Sequence, residues 1–387
     1  MRSAALLLLA CAPALRADDA ANHEEPEKKP FELYWKDGET VFKTDGLELA
    51  LSNRLQFRFN DFIPDDRTQI PGTASPGDGI KTFRIRRAKT QLSGWFWKPE
   101  IEFELQLGWA GSDATGGSAT FSGLEDAYLN WDASKKRTFM VQAGQFKVPF
   151  GRQEMTSSER QQFIERSLLS GEFTRSRDVG LQLWGRVAGG KLEYRAGVFN
   201  GNGRNRPIND NDKLQYDARL TFEPWGSVGY SESDFESKDK PLLAVAVEFE
   251  NNDNARATSG PPGSFVTNFN DSTLGGDLVF KYKGFSFYAE VFGRERDPES
   301  GATFNSNGYI VQSGFFLKRD VFELAFRYAS WDPSDETADD DQNEIGGAAN
   351  YYFLKHRFKL QADYRQLEDR VQDQTSKEFR AQLQFVF

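Results

Sequence analysis

From Gly46 to the end of the chain, apolar residues keep to one parity and polar or small residues to the other, which sets them on opposite faces of extended strands. The cleanest stretch is Ile101 to Trp109. Ile101, Phe103, Leu105, Leu107 and Trp109 share one face, while Glu102, Glu104, Gln106 and Gly108 share the other. The alternation recurs in Tyr216, Ala218, Leu220 and Phe222 against Asp217, Arg219 and Glu223. It recurs again in Leu243, Val245, Val247 and Phe249 against Glu248, and in Phe322, Leu324, Phe326 and Tyr328 against Glu323 and Arg327. The final run sets Phe379, Ala381, Leu383, Phe385 and Phe387 against Arg380, Gln382 and Gln384. About sixteen strands are predicted, beginning near Leu47, Lys81, Ile101, Leu124, Phe139, Val179, Leu192, Leu214, Leu242, Thr273, Phe285, Gly308, Phe322, Glu344, Phe358 and Glu378. One greasy face and one charged face along every strand suit lipid outside and water inside. The predicted fold is all-β, a transmembrane antiparallel β-barrel.

The connections support this by alternating in length. Short ones are expected at Lys98-Pro99, Ala188 to Lys191, Lys283-Gly284 and Lys318 to Val321. Long polar ones are expected at Asp61 to Ile80, Ala110 to Gly123, Gly201 to Lys213, Asn251 to Asp271, Arg296 to Asn307 and Trp331 to Asn343. Short turns at one mouth and long loops at the other are the asymmetry of outer-membrane barrels. Gly226 to Pro241 breaks the rule, being long where a short turn is due; it is either an insertion or a sign of a register error. Soluble β-sandwich strands share the period, but the surplus of outward Phe and Tyr at strand ends suits interfacial girdles instead.

Composition narrows the class further. The 387 residues include 34 Phe, 12 Tyr and 8 Trp, yet the formal charge is -10 and the mean hydropathy -0.63. No later stretch has the roughly 20 apolar residues of a membrane helix, so any span must be made by strands. Residues 1–17 read as a secretory signal: Arg2, an apolar run from Ala4 to Leu15, and a small-residue cleavage site after Ala17. Leu8 to Cys11 also resembles a lipoprotein box, but the apolar run before it is very short. Residues 18–45 are expected to form a periplasmic N-terminal segment and 46–387 the barrel. The only cysteine, Cys11, lies in the signal, and the histidines are His23 and His356 alone. Thiol, metal-cluster and His-based catalysis therefore lack their residues, and neither enzyme activity, a cofactor nor a metal is expected. Asp332 to Glu344 is acidic but has no calcium-loop spacing, so a solvated loop is expected. The Gly201-Asn202-Gly203 sequence is a turn with no helix after it.

Two segments carry candidate chemistry. Pro149 to Asp178 is too long for a turn and is a candidate to fold inward as a constriction loop. It balances Arg152, Arg160, Arg166, Arg175 and Arg177 against five acids. Lys81 to Gln91 is one-sidedly basic, with Lys81, Arg84, Arg86, Arg87 and Lys89. Alternation sends Arg84 and Arg86 into the lumen, and Arg87 breaks parity, which implies a bulge or a rim position. Such a ladder either attracts anions, because guanidiniums offer forked donors to oxyanions, or braces the wall by pairing with Glu102 and Glu104.

Several segments resemble the phosphate-selective porins called porin O and P. They are FRIRRAKTQLSG (Phe83 to Gly94), LEDAYLNW (Leu124 to Trp131), VQAGQFKVPFG (Val141 to Gly151), Glu159 to Ser167, Arg175 to Gly185 and GVFNGNG (Gly197 to Gly203), with YWKDG near Tyr34. The resemblance implies a 16-stranded, usually trimeric outer-membrane barrel whose inward loop and basic ladder attract phosphate or other small anions. Carried over by position, Arg84, Arg86 and Arg87 belong to the ladder, and Lys147, Arg160, Arg166, Arg175 and Arg177 to the loop and its hinge. The terminal strand ending on Phe387 resembles the signal read by the barrel assembly machinery. The partners implied are small anions, outer-membrane lipid and further copies of the chain, with no nucleic acid. The departure is the charge: Glu102, Glu104, Asp217, Glu248 and Asp363 intrude on the lumen parity. A general or cation-preferring porin, or a closed barrel with an adhesive or structural role, therefore stands as the alternative.

Overall fold

The computed structural model describes residues 32–387 apart from 70–72, 111–122, 207, 210, 238 and 258–265. The signal segment 1–17 and the stretch 18–31 lie outside the described residues. The strands are β1 (Glu32–Lys36), β2 (Glu39–Thr44), β3 (Leu47–Ile63), β4 (Ile80–Phe96), β5 (Ile101–Ala110), β6 (Gly123–Asp132), β7 (Met140–Lys147), β8 (Arg177–Val187) and β9 (Leu192–Phe199). There follow β10 (Gln215–Phe222), β11 (Leu242–Ala257), β12 (Val266–Tyr282), β13 (Phe285–Pro298), β14 (Phe304–Lys318), β15 (Phe322–Asp332), β16 (Gln342–Leu354), β17 (Phe358–Asp369) and β18 (Gln374–Val386). Two short helices, α1 (Arg152–Met155) and α2 (Leu168–Phe173), lie between β7 and β8.

Strands β3 to β18 each pair antiparallel with the next, and β18 returns to β3 from Lys377↔Ile63 to Val386↔Arg54. Sixteen strands thus close a barrel without a free edge. β1 and β2 form a hairpin laid on the first half of β3, from Thr40↔Leu51 to Thr44↔Leu47. Residues 32–44, expected in the N-terminal segment, therefore extend the barrel's sheet. The local signal was Asp37-Gly38 between two apolar runs, and both residues take positive φ (52° and 89°), as a tight hairpin turn requires.

The alternation works as the sequence indicates: Leu324 and Phe326 stand exposed on the outer face while Glu323 and Arg327 are wholly buried inside. Several strands run further toward the long-loop mouth than expected. β12 begins at Val266 instead of Thr273, β14 at Phe304 instead of Gly308, β18 at Gln374 instead of Glu378, and β11 continues through Asn251 to Ala257. Beyond the lipid band, about 25 Å tall, a backbone ladder needs no apolar face, so the marker fades before the strand ends.

Two segments enter the lumen from opposite mouths. Residues 148–176 lead in from the long-loop side and contribute Val148, Phe150, Leu169 and Phe173 to an apolar cluster with Tyr288, Phe292 and Ile310 of the barrel wall. The exceptional connection 223–241 comes from the short-turn side. The strand register is intact on both of its flanks, so it is a true insertion. Its Val228, Ser233 and Asp234 are fully buried.

Candidate functional site

The basic strand β4 carries its arginines inward through one irregularity. Arg58↔Arg84 and Phe57↔Ile85 pair in ordinary register, then Gln56 faces Arg87, which leaves Arg86 as the extra residue. A bulge here turns Arg86 and Arg87 to the same side, and both are buried. Their partner is neither Glu102 nor Glu104. Glu102 pairs with Arg137 and accepts from Asn130, and Glu104 accepts from the Tyr128 hydroxyl. The arginines converge instead on Glu165 of the inward segment. Arg86 Nε reaches its Oε1 at 2.6 Å, Arg87 Nη2 its Oε2 at 3.1 Å, and Arg58 Nη1 its Oε1 at 2.7 Å. Burial opposes ionisation, but the guanidiniums of Arg87, Arg58 and Arg86 together outweigh it and hold the Glu165 carboxyl well below the usual carboxylate range.

The other basic residues sort by role. Lys147, the last residue of β7, donates to the carbonyls of Glu154 (2.6 Å), Met155 and Thr156 (both 3.2 Å). Arg166 donates to the carbonyls of Gln153 and Thr156. Both cations thus sit at the carbonyl end of α1, where the orphan acceptors and the helix dipole favour them. Arg177 opens β8 instead of lying in the loop and grips Asp126 with two donors, at 2.9 and 2.8 Å. Arg160 is half exposed and meets only its neighbour Glu159, at 3.3 Å. Arg175 forms no ion pair and donates no hydrogen bond among the described residues, and its side chain borders open space.

That open space is a cavity of about 1300 Å³. It runs from Glu172 and Arg204 at the long-loop mouth to Asp37, Lys355 and Arg357 at the short-turn mouth. Its walls come mainly from β3 to β8 and from the inward segment. Among the described residues, fifteen lysines and arginines and eleven carboxylates line it, a cationic excess within a chain of net charge -10. Besides Lys89 of the basic run, Arg54, Arg195, Arg204 and Arg294, which no charge cluster in the sequence marks, also border the cavity. Arg54 and Arg58 lie on the lumen parity of β3 and were readable from it; attention to charge clusters alone hid them.

The opposite half of the lumen is filled. Ile164 N donates to Asp363 (2.8 Å), Leu168 N to Glu344 (2.9 Å) and Gly151 N to Glu248 (3.1 Å), while Lys359 donates to the Gln161 carbonyl (2.9 Å). Three wall carboxylates, Glu248, Asp277 and Glu290, come within 4.8 Å of one another. Arg219 pairs with the first two, and the backbone N–H of Arg152 donates to the third, so the cluster anchors the inward segment. The acids that intrude on the lumen parity are therefore mostly neutralised by protein. A lumen face bearing Tyr288, Phe292 and Ile310 was the signal, because apolar side chains on the wet parity need a packing partner.

A closed sixteen-stranded barrel with a charged passage through it defines an outer-membrane protein of the porin type. The chain belongs to the phosphate-selective porin O and P family, whose sequence profile matches residues 63–387. Among curated proteins, an uncharacterized protein of Aquifex aeolicus (strain VF5) is 23% identical over 289 residues, 67% of each chain. Among solved structures, the barrel is similar to the anion-selective porin from Comamonas acidovorans, with TM-score 0.60, 12% identity and 88% of this chain on 99% of that one. It is also similar to the outer membrane channel DcaP of Acinetobacter baumannii, with TM-score 0.59, 13% identity and 89% on 99%. The trimer form of OmpT from Vibrio cholerae matches with TM-score 0.58, 9% identity and 88% on 99%.

Proposed function

We propose that this porin is a diffusion channel for small anions, phosphate or oxyanions of similar size. The observation that carries the reading is the cavity open toward both mouths, whose lining is cationic although the chain is acidic. A surplus of guanidinium and ammonium donors lowers the barrier for an anion that sheds part of its hydration shell. Residues 148–176 act as the constriction. Arg175 and Arg160 present the unneutralised charge to the solute. Arg86, Arg87, Lys147 and Arg166 hold the segment, and with Arg84 and Arg177 they set the potential along the wall. No catalytic chemistry is required.

The same reading has the chain exported through residues 1–17, inserted by the assembly machinery through the strand ending in Phe387, and assembled as a homotrimer. The low wall supports the last point: β7, β9 and β10 have eight residues each. Tilted strands of that length rise about 19 Å, short of the apolar band, so a neighbouring copy would complete the wall there.

The test is the zero-current potential of refolded protein in a planar bilayer under a KCl gradient. A potential directed toward the chloride equilibrium value, with current blocked by added phosphate, is expected. A potassium-directed potential would leave a cation-preferring porin, and absence of current a closed barrel.

A further inference from the structure

Nineteen residues separate Phe222 from Leu242 at a mouth where β12 and β13 are joined by two, and β14 and β15 by three. The excess does not hang free. Asp234 accepts hydrogen bonds from Gly284 N (2.7 Å) and from Ser237 N and Oγ (2.9 and 2.6 Å), and Arg319 donates to the Ser237 carbonyl (2.8 Å). Lys283 N donates to Ser237 Oγ at 2.9 Å. The segment is thus laced to the β12–β13 and β14–β15 turns. The third turn, between β16 and β17, supplies His356. Its ring joins Phe316 and Tyr352 around Phe235, with centroids 5.0 to 5.1 Å from the Phe235 ring.

The inner edge of the segment meets the constriction from below. Glu232 N donates to the Arg160 carbonyl at 3.0 Å, and Gln162 N donates back to the Glu232 carboxylate at 2.7 Å. One side, Tyr230, Ser231 and Glu236, borders the open cavity, while Val228 and Ser233 behind it are wholly buried. Buried polar groups satisfied from three turns and from the constriction describe a rigid element, because each would lose a partner if the segment swung out.

We propose that residues 227–237 form a fixed floor that closes the β11–β17 half of the short-turn mouth and confines permeating solutes to the lane along β4–β8. The floor is then a specificity element in its own right. With it in place, a solute passes Arg54, Arg160 and Tyr230; without it, Gln162 loses its Glu232 partner and alone covers Gln312 and Glu323 from the inward segment, so a second lane can open beside them. The inference rests on the channel reading but is separable from it.

The experiment replaces residues 227–239 by Asn-Gly, which restores a short turn, and compares single-channel conductance with the wild type. Circular dichroism and the heat-modifiable gel shift confirm folding. Conductance should rise about twofold or more, with the anion preference moving toward unity. Unchanged conductance and selectivity in a folded variant would overturn the floor and leave the channel intact. A silent wild type with a conducting variant would sink the open-channel reading and support the floor, whereas two silent proteins would overturn both. Should the variant misfold, single cysteines decide. Tyr230→Cys should react with a membrane-impermeant thiol reagent and lose current, and Ser233→Cys should stay protected; equal reactivity would show a segment that moves, against the proposal.

Discussion

The two halves of the lumen are made by strands with the same alternation, yet one half is wet and the other is packed. Along β4 to β6 the lumen parity carries Arg87, Lys89, Gln91, Glu104, Gln106 and Asn130, long polar groups that border the open cavity. Along β13 to β16 it carries Tyr288, Phe292, Ile310, Ala325, Ala329 and Ala348, with Gly308 and Gly314 among them. Added side-chain carbon at Gly308 would lie 2.5 Å from Leu169 of α2, and at Gly314 1.9 Å from the Gln162 amide, so these glycines are seats for the inward segment. Charges on the packed side are ion-paired or hydrogen-bonded by protein: Arg380 grips Asp363 at 2.7 and 2.9 Å, Arg327 meets Glu344 at 3.2 Å while stacking on Phe163, and Glu323 accepts from Tyr352, Gln162 and Asn350. The difference teaches that alternation closes a barrel, whereas the bulk and pairing of lumen residues decide how much of it conducts. Burying a charge is tolerable only with a partner, so an imperfectly paired wall stays open.

Glu165 is the tie between the halves, and removing its charge should have the largest effect. In Glu165→Gln, Arg58, Arg86 and Arg87 lose their common counter-ion while a neutral amide keeps the shape. A loss of about 3 kcal/mol in unfolding free energy is expected, the low end for breaking a buried pair because a fifth of the Glu165 side-chain surface stays exposed. The released positive charge should raise the chloride-to-potassium permeability ratio in the same protein. Denaturant titration in lipid vesicles and reversal potentials read the two effects. A stable variant with unchanged selectivity would mean that the packed half holds the constriction unaided.

Arg175 probes the wet half alone. Since it has no ion-pair partner, Arg175→Ala should shift stability by less than about 0.5 kcal/mol. It should weaken phosphate block of the chloride current by roughly tenfold, the loss of one charge-assisted contact of about 1.4 kcal/mol. Arg175→Lys should retain most of the block. Equal block in all three proteins would move the anion contact away from the constriction.

How much of this was legible follows from what each feature depends on. All sixteen barrel strands were readable because each is encoded within itself, by parity. The bulge at Arg86 was visible as broken parity in Arg86-Arg87. The convergence of Arg58, Arg86 and Arg87 on Glu165 was hidden, because it joins positions roughly eighty to a hundred residues apart through a loop that carries no period. The hairpin at residues 32–44 was readable from Asp37-Gly38 but was obscured by the charged stretch before it. Gly226 to Pro241 announced itself only as a length anomaly. Its inward course depends on Phe235 finding Phe316, Tyr352 and His356, three residues spread over two other turns.

The smallest effect expected is a pH dependence carried by His356, in the turn between β16 and β17. Burial, with Lys359, Arg160, Lys281 and Lys355 adding repulsion, pushes the His356 imidazole well below its ordinary value of 6.5, so the native protein keeps it neutral. The unfolded chain takes up the proton first as pH falls below about 6.5. Stability therefore declines with acidification, by roughly 1 kcal/mol between pH 7 and 5.5. Glu165 contributes nothing to that slope. Its folded value lies well below the 4.5 of an ordinary glutamate, so its stabilisation is complete above about pH 4.5 and is lost only as pH falls further. Unfolding of wild type and His356→Gln at pH 7 and 5.5 isolates the term, since glutamine can keep a hydrogen bond to Ser231 Oγ, now 2.9 Å from the ring, without titrating. The slope should flatten in the variant, and a slope that persists undiminished would place the sensitive group elsewhere in the barrel.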